Sequence, residues 1–111
     1  MADEQGAPSN QPIVSEFAGD PDMVEIVEFF VGELPKRVDA LRQAASSNDT
    51  GALVTLAHQL KGAAPGYGFR DIGRVAGELE EAIRSTGSIE NVRGQIEDLA
   101  SLCERARSRA R

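Results

Sequence analysis

The sequence predicts an all-α protein, an antiparallel four-helix bundle with a short extra N-terminal helix. Three observations carry this. Apolar residues recur every three to four positions along four successive stretches, which is the period of one buried helix face. Those stretches are separated by short polar breaks, Ser46-Ser47-Asn48 and Thr86-Gly87-Ser88, and by a Pro-Gly break at Pro65-Gly66. No alternating strand pattern, repeat or low-complexity tract competes, and a chain of 111 residues with no tryptophan suits one aliphatic, helix-packed core.

Residues 1–12 carry Gly6, Pro8, Asn10 and Pro12 among polar residues and are expected to be flexible, leaving 13–111 as the bundle domain. Ile13, Val14 and Phe17 are expected in the short N-terminal helix. Asp20-Pro21 then reads as an N-cap followed by a proline at the first helical position. From there Val27, Phe30, Val31, Leu34, Val38, Leu41 and Ala45 form an apolar face, with a kink expected near Pro35, whose ring crowds the Val31 carbonyl. Asp49 is placed to cap the next helix, and so short a connection makes the two helices antiparallel neighbours.

That second helix carries Leu53, Leu56, Ala57, Leu60, Ala64 and Tyr67 on one side. Pro65, Gly66 and Gly68 should end or bend it between Ala64 and Gly68. Ile72, Val75, Ala76, Leu79 and Ile83 mark a third helix over about Arg70 to Arg84. Ser88 reads as the cap of a fourth, whose face is Ile89, Val92, Ile96, Leu99, Cys103 and Ala106.

Charge and composition exclude several function classes. A formal net charge of −6 argues against a nucleic-acid backbone as partner. Arg105, Arg107, Arg109 and Arg111 read as a helix end matched to its macrodipole. The single cysteine allows no intramolecular disulfide and falls on an apolar stripe, so it reads as a core residue in a reducing compartment. No apolar run approaches the ~18 residues of a membrane span, and the acidic N-terminus lacks a signal-peptide pattern, so a cytoplasmic protein is expected.

The chemistry concentrates at His58, the only histidine. At about 100° per residue it lies some 140° from the centre of the apolar stripe, and so should face water. Lys61 projects beside it, and Gly62, one turn on, leaves a gap on the same outward side. An accessible imidazole is a good nucleophile toward phosphorus, and histidine side chains in general titrate near pH 6.5, so a neutral fraction is available. Metal ligation lacks a partner at i+3 or i+4, where Lys61 and Gly62 stand, and no metal or other cofactor is expected. Hydrolysis lacks a carboxylate one turn away to orient the ring, though one could approach in the fold. The stretch from Gly62 to Gly68 does not end in the Lys-Ser/Thr of an ATP-binding loop.

His58-x-Leu60-Lys61-Gly62, with Gly68 further on, resembles the signature of the histidine phosphotransfer (HPt) domain family, H-x-L-K-G-x5-G, and the similarity spreads from about Asp20 to Arg84. Pro65-Gly66 departs from it, since the family usually has helix-compatible residues there. The resemblance implies a phosphorelay intermediate without its own catalytic or ATP site. His58 would take a phosphoryl group from a receiver-domain aspartate of a response regulator or hybrid histidine kinase and pass it to another. It implies that Lys61 supports phosphoryl charge and that Gly68 allows close packing near the site. Val54, Gln59, Gly62 and Pro65 are candidate docking residues around His58, in a protein expected to be monomeric and to use neither nucleic acid nor membrane. Two other readings stand beside this one. One is a non-phosphorylated helical adaptor for a receiver or kinase. The other is a sensor-kinase dimerisation helix pair, disfavoured because Gln59 and Ala63 stand where that family has an acidic residue and a proline.

Overall fold

The computed structural model describes residues 11–109. Strand β1, Ile13–Val14, leads into turns and then helix α1, Val24–Ser46. Helix α2 is Thr50–Ala63, continued by a 3-10 turn at Ala64–Tyr67. Helix α3 is Arg70–Thr86; a 3-10 turn at Glu90–Val92 precedes α4, Arg93–Arg105, and strand β2, Ala106–Arg107, follows it. The protein is thus mostly helical, with α2 packed on α3, α3 on α4, α4 on α1 and α1 on α2.

Two side-chain pairs relate α1 to α2 and the turn that continues it. Phe30 stacks on Tyr67 at 4.4 Å between centroids, and Arg37 approaches Gln59, so α1 and α2 run in opposite senses. The core takes most of the apolar faces read from the sequence, while Val31, Leu56, Tyr67 and Val75 are half-buried at its edge. Val27, Phe30, Leu34, Val38, Leu41 and Ala45 from α1 meet Leu53, Ala57 and Leu60 from α2, Ile72, Ala76, Leu79 and Ile83 from α3, and Ile96 and Leu99 from α4. Cys103 is buried among them, and burial pushes its thiol up to about 12, which keeps it inert.

Asp49 caps α2 as expected, its carboxylate accepting from the Ala52 N–H at 3.0 Å. Removing it in Asp49→Ala is expected to cost ~1 kcal/mol, read as a lower urea midpoint with unchanged m. The helix also ends where Pro65 and Gly66 require, and Gly68 takes a left-handed φ of 89°.

Three expectations are corrected. Ile13 and Val14 do not start a short helix with Phe17; they pair in parallel with Ala106 and Arg107. Asp20 does not cap α1, which begins at Val24, because its carboxylate is taken by the Asp22 N–H at 2.9 Å in a tight turn. Ser88 does not cap α4: the 3-10 turn at Glu90–Val92 intervenes, and α4 begins at Arg93 with Val92 at its N-cap position. Pro35 lies within the continuous span of α1. Of the expected flexible segment 1–12, residues 1–10 lie outside the described residues, as does Arg111 of the basic cluster. Arg109 pairs with Glu28 at 2.6 Å, and Arg107 lies in β2.

Candidate functional site

The site forms where the polar edge of α2 meets one stripe of α3. Residues 73, 77, 80 and 84 recur at i, i+4, i+7 and i+11, so they line up along α3 beside its apolar face. The first two are glycines; Gly73 receives a residue of the 3-10 turn that continues α2, and Gly77 one of α2 itself. A Cβ on Gly73 would sit 2.7 Å from the Pro65 ring, and one on Gly77 would sit 3.1 Å from the Lys61 stem. These missing side chains let α3 approach closely enough for Glu80 to reach α2.

Glu80 is the centre of the arrangement. Its side chain is only 8% exposed, yet it accepts from three groups. Its Oε2 lies 3.0 Å from His58 Nδ1 and 3.0 Å from an Arg84 terminal nitrogen, and its Oε1 lies 3.3 Å from Lys61 Nζ. Burial opposes its ionisation, but the hydrogen bonds from Arg84, His58 and Lys61 outweigh burial and hold the carboxyl below its ordinary range. Because the native state binds the proton less tightly than the unfolded chain, Glu80 stabilises the fold above about pH 4.5, and that contribution is lost as pH falls through the lowered value. Urea midpoints should therefore drop below about pH 4.5 in the wild type, and drop less steeply in Glu80→Gln.

His58 itself stands clear of the core, with a side chain 64% exposed. A carboxylate facing Nδ1 requires a proton on that nitrogen, so in the neutral ring Nε2 carries the lone pair. The arrangement therefore presents one defined nucleophilic nitrogen to solvent. A hollow of about 230 Å³, lined by Val54, Thr55, His58, Gln59 and Arg84, borders the ring.

The other sequence-predicted residues divide. Lys61 is beside His58 as expected, but its ammonium is committed to Glu80. Gln59 and Gly62 are exposed, and a Cβ on Gly62 would meet nothing within 4 Å. Val54 is half-buried at the hollow's edge. Pro65 is exposed, with part of its ring against Gly73. Gly68 packs against the N-terminal segment: a Cβ there would overlap Ser15 Oγ and lie 2.7 Å from the Glu16 nitrogen. Ser15 also donates to the Tyr67 carbonyl, and Glu16 N–H to that of Gly68.

Sequence reasoning missed Glu80, Arg84, Gly73 and Gly77. The available signal was Gly73-x3-Gly77 followed by Glu80, a side-chain-free strip leading to an acidic residue on the edge of an apolar face. Among the described residues no group of three or more His, Cys, Asp or Glu could hold a metal ion. Nor is any described helix long and apolar enough to cross a membrane.

No match was found among curated proteins or among solved structures. The family model for the Hpt domain matches residues 25–109, nearly all of the helical chain and the whole of the site. Hpt domains are phosphocarriers that work with receiver domains in phosphorelays. With an exposed histidine at its centre and the family pattern along its length, the chain belongs to the Hpt domain family, the histidine phosphotransfer modules of two-component signalling.

Proposed function

We propose that His58 is the phosphoacceptor, taking a phosphoryl group on Nε2 from a receiver aspartyl phosphate and passing it to the aspartate of another receiver. The observation that carries this is the exposed ring whose Nδ1 is held 3.0 Å from buried Glu80. The Nε2 lone pair forms the N–P bond while the P–O bond to the receiver carboxylate breaks and its electron pair leaves with that carboxylate. The Nδ1 proton stays in place, and the positive charge gained by the ring faces Glu80. In the onward step the N–P pair returns to Nε2, so the same carboxylate serves both directions.

Lys61 supports phosphoryl charge indirectly, through its hydrogen bond to Glu80, and Gln59, Gly62, Pro65 and the edge of Val54 form the surface on which a receiver docks. Gly68 secures the turn after the histidine helix by close packing. The domain spans 13–111 as an antiparallel four-helix bundle, acts as a cytoplasmic monomer and depends on a separate kinase for ATP.

Incubation with a phosphorylated receiver should give acid-labile, alkali-stable label; absence of label is the contrary result. Gly62→Leu should fold with a midpoint near wild type, since its side chain enters open space, yet slow transfer about tenfold or more by standing in the docking face. An unchanged transfer rate in that variant removes Gly62 from the interface.

A further inference from the structure

We propose that the phosphoryl group on His58 is received in the hollow beside the ring, held by the Arg84 guanidinium and the Thr55 hydroxyl, while Lys61 acts only through Glu80. This rests on His58 being the phosphoacceptor and goes beyond it by assigning the group's binding residues. The hollow borders the imidazole, and Arg84 is the cation in its wall; Lys61 is not part of it. Its α2 side is built from Val54 and Thr55, one turn before His58, and from Gln59 beside it, whereas Lys61, one turn after, does not line it.

The two cations also differ in placement. The Lys61 stem lies along Gly77, with its ammonium on Oε1 of Glu80. Arg84 shares Oε2 with His58 Nδ1, so its guanidinium is already one carboxylate oxygen away from the ring. Its side chain is 61% exposed, and rotating it toward the hollow removes little from water.

Before transfer, one carboxylate faces two permanent cations, which leaves an excess positive charge beside the ring. After transfer, Arg84 exchanges its two hydrogen bonds to Glu80 for bonds to phosphoryl oxygens. Glu80 keeps the Nδ1 proton and Lys61. No bond beyond N–P forms in this exchange. Thr55 donates its hydroxyl proton from the opposite wall.

The test uses the full chain with two donors, phosphoramidate as a small P–N reagent and a phosphorylated receiver. Arg84→Ala should lower the equilibrium fraction of phosphorylated His58, expressed as an equilibrium constant, about tenfold and move its 31P resonance. Arg84→Lys should retain most of the label, Thr55→Val should lose less than Arg84→Ala, and Lys61→Met should also lose less. An Arg84→Ala protein with wild-type label and an unmoved 31P resonance overturns the assignment, as does a larger loss in Lys61→Met. If the wild-type chain takes no label at His58 from either donor, the phosphoacceptor reading falls and this inference with it. If the wild type labels and Arg84→Ala labels equally, this inference alone fails.

Discussion

His58→Gln should abolish phosphoryl acceptance while leaving the fold almost untouched. Glutamine offers no nitrogen nucleophile, so acid-labile label from a phosphorylated receiver should disappear altogether. The side chain is 64% exposed, and none of the buried core residues belongs to it, so the direct packing loss is small. One contact does change: Glu80 loses the Nδ1 donor, but it keeps Lys61 and Arg84, and the glutamine amide can replace the lost proton. A stability change of no more than ~0.5 kcal/mol by urea denaturation is expected. An unfolded variant would contradict the exposed-site account. Full signalling by a folded His58→Gln chain would favour an adaptor that holds its partner without phosphorylation.

Glu80→Ala should have the next largest effect, on rate and on state of the ring. Without the carboxylate nothing fixes the proton on Nδ1, so the neutral ring divides between tautomers and the Nε2 lone pair is no longer the sole form. The ring charge that develops on transfer also loses its counter-ion, and Lys61 and Arg84 lose their common anchor. We expect a fall of about tenfold to a hundredfold in the transfer rate constant. Nitrogen-15 NMR of the imidazole should show the Nδ1–H form in the wild type and a mixture in Glu80→Ala. Glu80→Gln, whose amide oxygen can still accept from Nδ1, should recover the tautomer but not the charge. A wild-type tautomer ratio and rate in Glu80→Ala would show that the carboxylate is only a structural partner for Lys61 and Arg84.

Much of the fold was legible because local signals coincided with packing. The apolar stripe of α1, the Asp49 cap and the Pro65-Gly66 break each act within one or two turns, and a sequence displays such relations directly. The failures also have local causes. Asp20 found a nearer donor in Asp22, and the 3-10 turn at Glu90–Val92 separates Ser88 from the start of α4 at Arg93. The pairing of Ile13–Val14 with Ala106–Arg107 is two residues long, too short for a period to appear.

At the site, the exposure of His58 followed from its helical angle, and Lys61 from its spacing. The residues that give the ring its chemistry come from another helix. Glu80 meets His58 across 22 positions, and its approach depends on how closely α3 lies on α2. That distance is set by Pro65 against Gly73 and Lys61 against Gly77, a fit between two surfaces that neither stretch displays alone. The same break that departs from the family pattern thus has its counterpart in α3.

The most direct measurement is site-resolved mass spectrometry at neutral pH after exposure to a phosphorylated receiver. The account predicts one added phosphoryl group on the peptide containing His58, lost on brief acid treatment. An unmodified peptide, or the phosphoryl group found on a different residue, would contradict it.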